Sequence, residues 1–111
     1  MLKFTCGNLF KSKAQTLVNT VNVVGVMGKG IALVFKKRYP EMFEEYRQRC
    51  NDDHLDIGKL HLYKASDHWI LNFPTKHHYR GKSRLEYIEA GLCTLRDNYA
   101  EWGITSIAMP A

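Results

Sequence analysis

The residues best suited to chemistry lie in two stretches of this 111-residue chain. The first runs Asn19-Thr-Val-Asn22-Val-Val-Gly25-Val-Met-Gly28-Lys29-Gly30-Ile31. An apolar run with polar punctuation passes through glycines and re-emerges as an apolar helical pattern, which reads as strand, glycine loop, helix. Such a junction aims several backbone N–H groups and the positive end of a helix at one point, so Gly28, Lys29, Gly30 and Ile31 form a candidate anion cradle. Asn19 and Asn22 stand where strand gives way to loop. Each offers one acceptor and two donors without charge, which suits a sugar beside a phosphate. The spacing is not GxxxxGK[ST], because Ile31 follows Gly30, and it is not GxGxxG; nucleoside triphosphate hydrolysis and dinucleotide binding are unsupported. The same residues also read as a tight turn that binds nothing, its asparagines bonded to their own backbone.

The second stretch, Pro74-Thr-Lys76-His77-His78-Tyr79-Arg80-Gly-Lys82-Ser-Arg84, combines cations and rings and holds no acid. Single-stranded nucleic acid is gripped by cations that track phosphates and rings that stack on bases, which makes His77, His78, Tyr79, Arg80, Lys82 and Arg84 candidate DNA contacts; a solvated loop is the alternative. A lysine such as Lys76 can stabilise negative charge, hold a ribose hydroxyl or, as the neutral amine, attack an anomeric carbon. By residue type alone it reads as a solvated surface lysine. His54, His61, His68, His77 and His78 form no HxxxH pair on a helix, so no metal site is expected.

Composition bounds what can hold these stretches. Hydrophobic residues are 45% and charged ones 24%, an ordinary globular mix, and the formal net charge of +5 favours an anionic partner. No apolar run approaches the roughly 20 residues that span a bilayer, and no signal pattern opens the chain. Cys6, Cys50 and Cys93 show no CxxC spacing. These features predict one soluble, cytoplasmic domain over 1–111 with no membrane partner.

Periodicity predicts strands over Leu2–Cys6, Thr16–Val21, Lys59–Lys64, His68–Phe73 and Ile104–Met109, the third and fourth as a hairpin. Helices are predicted from Gly30 to Tyr39, from Glu41 to Cys50, and from Leu85 to Trp102 with Gly103 as a left-handed stop. Pro40 either ends the first helix or starts the second. Ser83-Arg84-Leu85-Glu86 reads as a capping box. Leu85, Ile88, Leu92, Leu95 and Tyr99 read as the buried stripe of the last helix, and Phe43 and Tyr46 as core. The whole describes a mixed sheet with helices packed on it. Both chemistry-bearing loops leave carboxyl ends of strands, where ligands bind in open α/β sheets, so the two are expected to share a crevice.

Asn19-Thr-Val-Asn22 followed by Val-Gly-Val-Met-Gly28-Lys29-Gly30-Ile31-Ala resembles the first ligand loop of macrodomains, which bind ADP-ribose, and Gly7-Asn8-Leu9 resembles their adenine-site motif. With Asn72-Phe-Pro-Thr-Lys76 and Gly81-Lys-Ser-Arg-Leu-Glu86, the chain is most similar to macrodomains of DarG-type antitoxins, which remove ADP-ribose from thymidine in single-stranded DNA and so reverse a partner toxin. The resemblance implies a three-layer α/β/α fold, an ADP-ribosyl hydrolase that needs no metal or redox cofactor, and a cognate toxin as partner. It implies that Gly28 to Ile31 hold the diphosphate, that Asn22 binds the distal ribose, that Asn8 and Leu9 meet adenine, and that Lys76 is catalytic. The family commonly has Asp where this chain has Asn8, so charge assistance to the adenine amino group is lost. Such domains also continue past a strand like Ile104–Met109 into a second glycine-rich loop and another helix. The chain is therefore expected to be truncated before these, a poor enzyme alone, and completed by further sequence or another chain. Two other functions fit the same residues: a non-enzymatic ADP-ribose reader, and a basic module that grips nucleic acid or an acidic protein.

Overall fold

The computed structural model describes residues 3–6 and 9–110. Five strands, β1 (Lys3–Cys6), β2 (Thr16–Val21), β3 (His61–Lys64), β4 (Trp69–Pro74) and β5 (Ser106–Met109), form one sheet in the order β1-β5-β2-β4-β3. All neighbours run parallel except β3, which returns antiparallel to β4 as the predicted hairpin. β2 is buried on both faces, as an interior parallel strand must be.

Helices α1 (Gly30–Arg38) and α2 (Pro40–Asn51) cover one face, over Leu17, Val21 and Ile70. α3 (Leu85–Trp102) covers the other, over Val18, Leu71, Phe73 and Ile107. The result is the expected α/β/α sandwich. Pro40 starts α2 at its first turn, where a missing N–H costs nothing, and Tyr39 is the single residue between the two helices. Gly103 takes the left-handed conformation (φ 84°) that stops α3.

Two local expectations for α3 are corrected. The Ser83–Glu86 capping box does not form: Arg84 occupies the N-cap without a side-chain bond, and the Ser83 hydroxyl donates to Thr75 Oγ1 at 3.3 Å. The buried stripe is also rotated from the predicted one. Leu85 is 70% exposed and Leu92 39%, whereas Gly91 and Leu95 are buried. Gly91 has no side chain to register in a hydrophobic pattern, yet α3 lies so near β4 there that a Cβ would overlap the Phe73 ring. Gly91→Ala is expected to destabilise the fold by about 1–2 kcal/mol net, overpacking outweighing the better helix propensity of alanine, as read from a chemical denaturation midpoint.

A row of polar residues crosses the sheet on the face beneath α1 and α2. Asn19 on β2 stands beside Asn72 on β4, and Asn72 beside His61 on β3. Asn19 Nδ2 donates to Asn72 Oδ1 at 3.1 Å, Asn72 Nδ2 lies 3.0 Å from His61 Nδ1, and His61 Nε2 lies 2.8 Å from Glu45 Oε1 on α2. The donors all point the same way. His61 therefore carries its proton on Nε2, and the Asn19 Oδ1 at the head of the row has no partner.

Burial pushes the His61 imidazole below its ordinary value of 6.5, with Arg49 acting in the same sense and Glu45 against it. As pH falls through about 6.5, an unfolded chain takes up a proton that the folded chain refuses, so stability is complete above this pH and lost below it. Urea midpoints between pH 7.5 and 5.5 are expected to fall with a His61 contribution of up to about 1.4 kcal/mol per pH unit. His61→Gln flattens that dependence; an unchanged slope in the variant would refute the assignment.

Candidate functional site

The carboxyl ends of β2 and β4 open into a cleft of about 570 Å³. One wall is the loop that follows β2 and the first turn of α1, with Val26, Gly28, Lys29, Gly30, Ile31 and Ala32 at the surface; the other is the segment after β4, with Lys76, Tyr79 and Arg80. Thr20 and Asn22 form the floor between them. The anticipated shared crevice therefore exists, and backbone pairing explains it. Past the strands, Thr75 N–H donates to Val21 O at 3.0 Å and Val23 N–H to His77 O at 3.2 Å. These two bonds bracket Lys76 and hold it beside the exit of β2.

The α1 terminus leaves backbone N–H groups at the cleft with no acid beside them. Lys29 is an extended N-cap without a side-chain bond, and no acid occupies the first turn. The helix ladder begins with Leu33 N–H on Lys29 O, which leaves the N–H groups of Gly30, Ile31 and Ala32 outside it and at the cleft wall. Gly30 has φ +62° and Gly25 φ +86°, conformations that favour glycine and that turn the loop twice within six residues. Residues 1–40 and 68–85, which supply both walls, include no Asp or Glu.

Asn22 is 4% exposed and its amide is largely committed to the loop. Oδ1 accepts from Val24 N–H at 3.1 Å and Val26 N–H at 3.3 Å, and Nδ2 donates to Val26 O at 2.8 Å. The Tyr46 hydroxyl lies 2.9 Å from both the Asn22 backbone oxygen and Oδ1. Burial drives the Tyr46 phenol well above its ordinary range, so it remains a neutral donor. Sequence periodicity marks Tyr46 only as core. That it also pins the glycine loop depends on how α2 lies across the sheet.

The chain that forms this cleft has known counterparts. Residues 18–111 match the family model described as Macro domain. The chain belongs to the macrodomain family. It is 45% identical over 114 residues to the DNA ADP-ribosyl glycohydrolase of Thermus aquaticus, covering 99% of this chain and 32% of that protein. The chain thus spans about a third of the length of the curated relatives it matches. The macrodomain of Mycobacterium tuberculosis DarG is similar at a TM-score of 0.89 and 47% identity, covering 99% of this chain and 75% of that one. Thermosipho africanus DarTG, solved in complex with ADP-ribose, is similar at a TM-score of 0.90 and 36% identity, covering 98% of this chain and 33% of that one.

Within this macrodomain, Asn22, Gly28, Lys29, Gly30, Ile31, Lys76, Tyr79 and Arg80 meet around one cleft. Asn19 does not: it is fully buried in the polar row. The Leu9 side chain is buried in the core under the helices, and Asn8 lies outside the described residues. His77, His78, Lys82 and Arg84 are exposed on the basic segment. Its rings are organised, with His78 stacked on Tyr79 at a centroid distance of 4.2 Å and the Arg80 guanidinium 5.4 Å from the Tyr79 ring. His77 packs edge-on against Tyr87 at 5.0 Å. Lys76 Nζ donates to Tyr79 O at 3.3 Å, which aims the ammonium along the cleft rim. Among the described residues no cluster of three His, Cys, Asp or Glu could hold a metal, and no helix is long and apolar enough to cross a membrane.

Proposed function

We propose that this macrodomain is an ADP-ribosyl hydrolase that removes ADP-ribose from thymidine in single-stranded DNA, acting as antitoxin to a DNA ADP-ribosyltransferase. The observation that carries the reading is one cleft bounded by the uncapped α1 terminus on one side and Lys76 on the other. The names of its relatives agree: glycohydrolases acting on DNA-linked ADP-ribose, and one natural fusion of such a hydrolase to a DNA ADP-ribosyl transferase.

In this reading the diphosphate rests on the N–H groups from Gly28 to Ile31, with Lys29 adding charge. The one Nδ2–H of Asn22 left over from the loop meets the distal ribose. Breaking the N-glycosidic bond builds cationic character on the anomeric carbon, so a fixed ribose and a nearby diphosphate favour the transition state over the ground state. Lys76 reaches the same sugar from the opposite wall. Borohydride trapping of a Lys76 adduct with the opened sugar separates nucleophilic attack from electrostatic assistance. The Tyr79, His78 and Arg80 stack offers ring faces and charge to the flanking strand, with Lys82 and Arg84 following its phosphates. Such a substrate and the free thiols of Cys50 and Cys93 fit a cytoplasmic location.

The test is incubation of the native protein with an oligonucleotide carrying ADP-ribose on thymidine. Release of free ADP-ribose, followed by mass, is the expected result. ADP-ribose binding without release would leave a reader module, and salt-sensitive oligonucleotide binding without ADP-ribose affinity would leave a nucleic-acid interaction module.

A further inference from the structure

We propose that Tyr46, a residue of α2 outside the cleft, is a positioning residue for this reaction: its buried hydroxyl fixes the Asn22 carboxamide so that a single Nδ2–H is presented to the substrate sugar. The inference rests on the hydrolase reading above and adds a residue to it. An asparagine side chain has one carbonyl oxygen and two N–H donors. In Asn22 the oxygen already faces three donors, Val24 N–H, Val26 N–H and the Tyr46 hydroxyl, and one N–H is taken by Val26 O. Only one donor is left, and its direction is set by the other four contacts.

Of those partners, Val24 and Val26 belong to the same turn and move with it. Tyr46 alone among them ties Asn22 to the helical layer. It is fully buried, and its oxygen sits equidistant, at 2.9 Å, from the Asn22 backbone carbonyl and the side-chain carbonyl. α2 is packed directly on the turn at this level, since a Cβ added at Gly25 would stand 3.4 Å from Arg47 Cγ. The single hydroxyl proton is thus shared between the main chain just past β2 and the amide that leaves it. Without it the three bonds within the turn remain, but nothing ties the carboxamide to α2, so turn and carboxamide can shift together against the sheet.

Tyr46→Phe deletes the donor and keeps the ring, and it is best read in a four-member cycle with Asn22→Ala, measuring ADP-ribose release from the thymidine-linked oligonucleotide, ADP-ribose affinity by calorimetry, and Tm. In the wild-type background Tyr46→Phe is expected to lower kcat about tenfold with KM changed less than about threefold. In the Asn22→Ala background the same substitution is expected to cost less than about twofold, because the group it orients is gone. Unchanged turnover in Tyr46→Phe overturns the proposal, as does an equal loss in both backgrounds, the mark of a general packing role. Asn22→Asp, which keeps the acceptor and removes the donors, replaces Asn22→Ala if the latter does not fold. Absence of turnover in the wild-type protein overturns the hydrolase reading instead, and the same non-additivity in ADP-ribose affinity then decides the role of Tyr46.

Discussion

Lys76→Ala is expected to reduce ADP-ribose release from thymidine-linked DNA by at least about a hundredfold while leaving ADP-ribose affinity within about threefold of wild type. The split follows from the geometry. The α1 side of the cleft, where the diphosphate is proposed to rest, is made from backbone N–H groups that no side-chain truncation at position 76 removes. Lys76 stands on the facing wall, held there by the Thr75 and His77 backbone bonds to the end of β2. In the proposed reaction its ammonium is therefore expected to act where charge shifts on the sugar and not where the phosphates are held. Lys76→Arg keeps the charge but cannot act as an amine nucleophile at neutral pH, so partial retention of turnover in Lys76→Arg would argue for electrostatic assistance. Turnover unaffected by Lys76→Ala would remove Lys76 from the mechanism altogether.

The largest effect on stability is expected at Asn72. Its carboxamide joins β2 to β3 beneath the helices, accepting from Asn19 and donating toward His61 and Met42 Sδ. Asn72→Leu keeps the volume but strands His61 Nδ1 and leaves Asn19 Nδ2 with only its 3.6 Å contact to Met27 Sδ, both in a fully buried setting. Leaving one buried polar group unpaired and a second with only a thioether acceptor is expected to cost about 2–4 kcal/mol, a loss of roughly 10 °C or more in Tm for a domain of this size. Asn19→Leu makes a sharp contrast. It removes the side chain whose oxygen is already unpartnered and leaves only one stranded atom, so its cost is expected to be smaller. If thermal denaturation ranks the two variants the other way, the row does not carry the bonding energy assigned to it.

The exposed Leu85 and Leu92 of α3 and the buried Gly91 show how periodicity can find a helix and still misplace its face. Pattern counting weights large apolar side chains. The close contact at Gly91 comes instead from the lack of one, which lets the helix backbone settle against Phe73. The failed capping box has a similar origin: Ser83 has the right chemistry for a cap, but Thr75 at the base of the basic segment offers its hydroxyl a different partner. Local sequence describes what a residue can bond to, and packing selects among the options.

Read alone, the sequence determines the elements and the two loops that carry chemistry. Thr16–Val21, the glycine turn, the basic segment after Pro74 and the Gly103 stop are written in local patterns of hydrophobicity, glycine and charge, because these depend on backbone preferences within a few residues. The chain also carries the motifs by which its macrodomain membership is legible. Tertiary structure decides the rest. Asn19 and Asn22, three residues apart and chemically alike, part company because successive strand positions face opposite ways and the strand ends between them: one is sealed into a polar row across the sheet, the other faces the cleft. Lys76 reaches the cleft only because β2 and β4 pair in parallel, a contact across some fifty residues of chain that carries no local signature. Tyr46 becomes more than core for the same reason, since the oxygen it bonds lies on a loop 24 residues away.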